Sequence, residues 1–243
     1  MRIRAVLFDL GGTLVDEKDF EGWVELARRF YLDLDPDHLR HAFFEAEKET
    51  DASPPRTAGD ERLFDFWQRT LSLAAEKEID RATVIKFSAA WREARRPVHL
   101  YSDTRRCLDT LRDERRALGV VSNSTSEATC RWVLDQAGIL DYFSRVVSSG
   151  TEGVEKPDPE IFRRAVARLH VRPEEAVFVG NLARTDAKAA EAAGLHGVWL
   201  NREGFGYGTD PPEITSLLEV PLFVHRLEGG PAPARRPTAG GAP

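Results

Sequence analysis

Four side chains in this sequence could together move a phosphoryl group: two aspartates, a serine and a lysine, each beside an apolar run or a turn. Asp9 opens Asp9-Leu10-Gly11-Gly12-Thr13-Leu14, directly after the run Ala5 to Phe8. Ser122-Asn123 ends the run that starts at Ala117, and Gly180-Asn181 follows Ala176 to Val179, with Asp186 soon after. Lys156 stands in Gly153-Val-Glu-Lys-Pro-Asp-Pro-Glu-Ile-Phe162. A carboxylate beside a buried run needs a partner or a task. This set supplies a carboxylate nucleophile, a hydroxyl, a cation and a second carboxylate able to hold a metal, which suits phosphoryl transfer.

Residues so far apart meet only if the fold gathers them. From about residue 98 the pattern alternates helix and strand: helix 102–115, strand 117–122, helix 126–137 closed by Gly138, strand 145–148 and helix 159–169. Strand 176–179, helix 186–193 ended by Gly194 and strand 197–200 follow, and Val220 to Val224 reads as a last strand. Such alternation predicts an α/β fold, a Rossmann-like parallel sheet with helices on both faces. In a parallel sheet the strand ends all emerge on one edge, where ligands bind.

Residues 16–97 read differently, as helices at 20–32, 38–50, 61–75 and 83–95 with no strand between them. Asp51 to Asp60 reads as a loop with Asp60 as an N-cap. Trp23, Trp67 and Trp91 are expected in the core of this helical unit, and His38 and His41 at its surface. The predicted organisation is an α/β core from 1–15 and 98–228, an inserted α-helical cap domain at 16–97, and a disordered Pro/Gly/Ala-rich tail at 229–243. Hinges are expected near Val15 to Glu17 and Pro97 to Leu100.

The chain has 243 residues, 42% hydrophobic and 30% charged, with a net charge of −6. That balance argues against nucleic acid or an anionic membrane as partner. No apolar stretch is long enough to span a bilayer, and no signal peptide is evident. Cys107 and Cys130 have no metal-ligand spacing, and a reduced, cytoplasmic setting is expected.

The motif order resembles the haloacid dehalogenase (HAD) superfamily: Asp-x-x-Gly-Thr-Leu, a helical insert, a strand ending Ser-Asn, Gly-Val-x-Lys-Pro-Asp-Pro-x-Ile-Phe, then Val-Gly and a later Asp before Ala-Ala-Gly. The insert after the first motif resembles the C1 cap subclass. The resemblance implies a Mg²⁺-dependent phosphatase of a small phosphorylated metabolite, with Asp9 forming an aspartyl-phosphate. Ser122 and Lys156 would contact the phosphoryl group, and Gly12, Thr13 and Asn123 would help bind substrate. Asp9, the Gly11 carbonyl, Asn181 and Asp186 would hold the Mg²⁺. Two positions depart from the family pattern. Gly11 stands where most phosphatases carry a general-acid Asp, and Asn181 stands where Gly-Asp is usual.

Other readings stay open from the sequence. Glu17 could replace the absent acid. A metal-independent 2-haloacid dehalogenase would have Asp9 attack carbon, and phosphonate cleavage would need a Schiff-base lysine such as Lys48. A binding or scaffold protein with a weakened site is the remaining alternative.

Overall fold

The computed structural model describes residues 2–52, 59–94, 98–202, 204 and 211–229. It divides into two compact units, residues 1–16 with 98–243 and residues 17–97.

In chain order the first unit holds β1 (Ala5–Phe8), β2 (Val15–Asp16), β3 (His99–Leu100), α5 (Thr104–Asp113), β4 (Ala117–Ser122) and α6 (Glu127–Gln136). Then come β5 (Arg145–Ser148), α7 (Ser149–Glu152), α8 (Pro159–Arg168), β6 (Ala176–Gly180), α9 (Ala189–Ala192), β7 (His196–Leu200), β8 (Glu213–Ile214) and α10 (Val220–Leu227). Six strands form one sheet in the order β5-β4-β1-β6-β7-β8, and every pairing in it is parallel.

Strand β1 lies between β4 and β6, with Phe8 opposite Val120 on one side and Val179 on the other. Its side chains alternate between the two faces, as the pleat requires. Val6 and Phe8 join the α5, α6 and α10 side of the core with Leu108, Leu111, Leu134 and Val224. Ala5 and Leu7 join the other side with Ile161, Phe162, Ala165 and Ala190. All four residues of the strand are buried, so apolar burial on both faces fixes its register.

The expected strand at Val220 to Val224 is instead helix α10. Ser216 caps the short 3-10 turn Leu217–Glu219 that leads into it, Pro221 sits in its first turn, and Val220 and Val224 bury one helical face. The last strand is β8, which pairs Trp199 with Glu213 and Leu200 with Ile214. The expected helix at 186–193 is a π-helical turn, Ala183–Lys188, followed by α9. The far end of the chain, 230–243, lies outside the described residues.

The second unit holds α1 (Phe20–Arg28), α2 (Pro36–Ala52), α3 (Gly59–Ala74) and α4 (Arg81–Glu93). Asp19 caps α1 by accepting from Gly22 N–H at 3.0 Å, and Asp80 caps α4 by accepting from Thr83 N–H at 3.0 Å. Helix α3 begins at Gly59, so Asp60 lies inside its first turn rather than at the N-cap. The core of this unit is aromatic: Trp23 and Trp67 meet edge to face at 5.4 Å, and Trp67 meets Phe87 at 4.9 Å. Residues 53–58 and 95–97, including most of the expected loop and Pro97, lie outside the described residues.

Candidate active site

Asp9 is the first residue past β1, and its N–H donates to the Val179 carbonyl at 2.9 Å. The sheet thus continues for one bond beyond the strand and holds the Asp9 backbone rigidly. The chain then turns sharply. Gly12 N–H bonds the Val15 carbonyl at 2.9 Å, and Leu14 N–H bonds the Leu10 carbonyl at 2.9 Å. Gly12 has φ +77°, and a β-carbon there would come within 2.8 Å of Asn181 Nδ2. The left-handed backbone therefore favours glycine, and a larger residue would also displace the Asn181 amide.

Lys156 lies before α8, and its Nζ sits 2.7 Å from Asp9 Oδ1 and 2.7 Å from Asp186 Oδ1. All three side chains are almost fully buried. Burial alone would push the lysine pKa down, but the Asp186 and Asp9 charges outweigh it and hold the ammonium above its usual range. Burial pushes Asp186 up to about 6, with Asp9 adding to the rise and Lys156 opposing it. Two carboxylates and one ammonium leave the triad with one net negative charge when all are ionised.

The remaining atoms of the triad are also placed. Asp186 Oδ2 accepts from Leu182 N–H at 3.0 Å, so both its oxygens face protein donors. Its position depends on the π-helical turn, a rare local form that recurs at functional sites. A β-carbon at Gly180 would overlap the Asp186 carboxylate. The Thr13 hydroxyl lies 3.2 Å from Asp9 Oδ2 and 3.4 Å from Asn181 Oδ1. One hydroxyl therefore gathers a carboxylate oxygen and an amide oxygen.

Ser122 ends β4 and is buried, and its hydroxyl makes no hydrogen bond among the described residues. Asn123 has a task that the sequence did not reveal. Its Nδ2 donates to the Lys156 carbonyl at 2.9 Å, and its Oδ1 accepts from Lys156 N–H at 2.8 Å. This reciprocal pair anchors the lysine backbone across 33 residues of chain. The side chain of Asn123 is thereby engaged with protein.

Arg202, at the end of β7, was also not legible as part of the site. Its guanidinium donates to the Thr13 carbonyl at 2.9 Å and to both oxygens of Asp103 at 3.0 Å. Asp103 further accepts from the Ser216 hydroxyl at 2.8 Å and Leu217 N–H at 2.9 Å. The signal available in sequence was slight: a single Arg just past an apolar run, with nothing marking Asp103 as its partner.

Oxygen donors suit a hard cation such as Mg²⁺. The Asp9 carboxylate and the Asn181 amide oxygen both approach the Thr13 hydroxyl, which brings two oxygen donors together on this side of Asp9. Among the described residues no cluster of three or more His, Cys, Asp or Glu side chains is arranged to hold a metal. Any cation here would depend on amide and carbonyl oxygens as well as Asp9.

Comparison with known proteins gives a consistent placement. A family model described as haloacid dehalogenase-like hydrolase matches residues 3–194. The chain is 33% identical over 211 residues to the glyceraldehyde 3-phosphate phosphatase of Methanopyrus kandleri, covering 82% of this chain and 84% of that one. It is 36% identical over 132 residues to the phosphoserine phosphatase of Thermus thermophilus, covering 54% of this chain and 51% of that one. The crystal structure of a HAD phosphatase from Thermococcus onnurineus matches with a TM-score of 0.59 at 26% identity, over 95% of this chain and 100% of that one. With most of its length matched by that family model, and a parallel sheet that delivers Asp9, Lys156 and Asp186 to one edge, the chain belongs to the haloacid dehalogenase-like hydrolase family.

Proposed function

We propose that this protein is a phosphatase of a small phosphorylated metabolite, working through an aspartyl-phosphate on Asp9. The observation that carries the reading is the position of Lys156 Nζ, 2.7 Å from a carboxylate oxygen of Asp9 and of Asp186. The same ammonium that orients the nucleophile can offset charge on an incoming phosphoryl group. Such preorganised charge commonly contributes about 3 kcal/mol to a transition state. The named activities of the two phosphatase relatives agree with this substrate class.

In the first step an Asp9 oxygen bonds to phosphorus while the ester P–O bond breaks and the electron pair leaves with the alcohol oxygen. In the second, water attacks the phosphorus of the aspartyl-phosphate, releasing inorganic phosphate and restoring Asp9. The Ser122 hydroxyl and the backbone N–H groups following Asp9 and Ser122 receive the phosphoryl oxygens. Thr13 holds the second Asp9 oxygen, and Asn123 keeps Lys156 in register. Mg²⁺ would be held by Asp9, the Gly11 carbonyl, Asn181 and Asp186, the last sharing its Oδ1 with Lys156, and would screen repulsion between carboxylate and phosphate. Because Asn181 is neutral, metal binding is expected to be weak.

Gly11 offers no proton to the departing oxygen. General acid help is worth roughly 10²–10⁴-fold. Substrates with good leaving groups, such as acyl or anomeric phosphates, are therefore favoured. The two buried cysteines, Cys107 and Cys130, suit a reducing cytoplasmic setting.

The test is hydrolysis of an aryl phosphate with and without Mg²⁺. Phosphate release that stops in EDTA and in Asp9→Asn is the expected result. Undiminished turnover in Asp9→Asn would remove Asp9 from the reaction. Metal-independent halide release from a 2-haloacid would replace this reading with dehalogenation.

A further inference from the structure

We propose a second anion site at the opposite edge of the sheet from Asp9, built by Arg2, Arg4, Arg115 and Arg116 to take a small organic phosphate or carboxylate. The chain runs along β1 from Ala5 toward Asp9, so residues 2–4 lie at the far, amino edge. There a cavity of about 280 Å³ is lined by these four arginines and, on its apolar side, by Leu169 and Val171.

The arginines divide into fixed and available ones. Arg116 is held by Glu228, with Nη1 and Nη2 at 2.6 and 2.9 Å from the carboxylate, and it also donates to the Ile3 carbonyl. Arg4 lies 3.5 Å from Glu175, a loose and half-exposed contact. Arg2 and Arg115 make no side-chain ion pair or hydrogen bond among the described residues. Arg116 also lies 3.5 Å from Glu114, so Glu114, Glu175 and Glu228 offset Arg116 and Arg4, and Arg2 and Arg115 are the guanidinium groups left to face an anion.

The backbone at Arg115 closes helix α5. It follows the last turn of α5 with φ +58°, its N–H bonded to the Arg112 carbonyl at 2.8 Å, while Arg116 N–H bonds the Leu111 carbonyl at 3.0 Å. This is the helix-ending position where glycine is strongly favoured. Tyr31, Glu76 and His170 follow α1, α3 and α8 with the same left-handed backbone, so this conformation is a helix-ending device of the chain and an anion would be drawn by the guanidinium groups alone. Guanidinium forks match the paired oxygens of phosphate and carboxylate. The volume is just below the usual range for ligand sites, roughly 300–1,000 Å³, which limits the occupant to a few carbons and one or two anionic groups. Leu169 and Val171 would cover its apolar part.

Phenylphosphonate is a suitable probe, since its C–P bond resists hydrolysis and its ring offers an apolar face. Calorimetry on the full chain should give saturable binding, with NMR shifts at the Ala117, Leu169 and Val171 amides. In Arg2→Ala/Arg115→Gly that binding should weaken about tenfold or more. The variant should melt no lower than wild type, because glycine relieves the backbone at φ +58°. Absence of saturable binding up to about 10 mM would overturn the proposal. So would undiminished affinity in the double variant, or shifts confined to residues near Asp9 and Ser122. None of these readouts depends on turnover, so an inactive protein would leave this test intact.

Discussion

Arg202 Nη2 donates to the Thr13 carbonyl at 2.9 Å, and through Thr13 it reaches Asp9, whose Oδ2 lies 3.2 Å from the Thr13 hydroxyl. The guanidinium is oriented in turn by Asp103, and both side chains are largely buried. The loop after β1 is therefore braced from the end of β7 as well as by its own backbone bonds.

Asp103→Asn should reveal how much that brace contributes. Burial raises the pKa of Asp103, but Arg202, the Ser216 hydroxyl and Leu217 N–H outweigh it and hold the carboxyl below its ordinary range. A depressed folded pKa means the pair contributes fully above pH about 4, and that its contribution fades as pH falls through the lowered value. The variant should lose about 3 kcal/mol near neutral pH and much less in acid. Urea unfolding at pH 7 and pH 3 checks this, and an equal loss at both would contradict it.

Lys156→Met leaves Asp9 and Asp186 as neighbouring buried carboxylates without their cation. Removing one partner of a buried charged group typically costs about 3–5 kcal/mol. Aryl-phosphate turnover should fall by about 10²-fold or more. Steady-state assays on the folded variant, verified by circular dichroism, would measure it; turnover within threefold of wild type would exclude Lys156 from the chemistry.

Gly11→Asp tests the missing acid. Gly11 has no side chain to protonate the departing oxygen, and aspartate there would supply a carboxyl group. Turnover of an alkyl phosphate should rise by about 10-fold or more, and turnover of an aryl phosphate much less, because only the poor leaving group needs the proton. Equal effects on both substrates would argue that protonation is not limiting.

Gly12→Ala should do the reverse. The added β-carbon meets the Asn181 amide at 2.8 Å and also forces an L-residue to φ +77°. The expected loss is about 1–3 kcal/mol in stability, together with weakened Mg²⁺ activation. A Mg²⁺ titration of activity alongside thermal melts separates these effects; an unchanged titration would mean that Asn181 does not contribute to the metal.

The parts of the fold legible in the sequence were those governed by long-range regularity. Strand 117–122 and strand 145–148 coincide with β4 and β5, because an apolar run bounded by turn residues has few alternatives. Val220 to Val224 failed for the complementary reason: five apolar residues carry no period long enough to separate helix from strand, and the Ser216 cap before them decided. Asp9, Lys156 and Asp186 could be nominated from motif order, since parallel strands end on one edge. The Arg202–Asp103 pair could not, because 99 residues separate its members and only the folded chain makes them neighbours. Asn123 showed the same limit from the other side: its location was readable, but its bonds to the Lys156 backbone were not.

The ladder of β2 and β3 has one more implication. Asp16 faces His99 and Val15 faces Leu100 in antiparallel pairing, so the chain departs for the second unit and returns from it at adjoining rungs. To the sheet, everything between those rungs is equivalent to a hairpin tip. A two-residue turn could bridge them in place of residues 17–98, and grafts of other lengths could be exchanged there without shifting Asp9. Change confined to that insert would leave the order and pairing of the six-stranded sheet as they are.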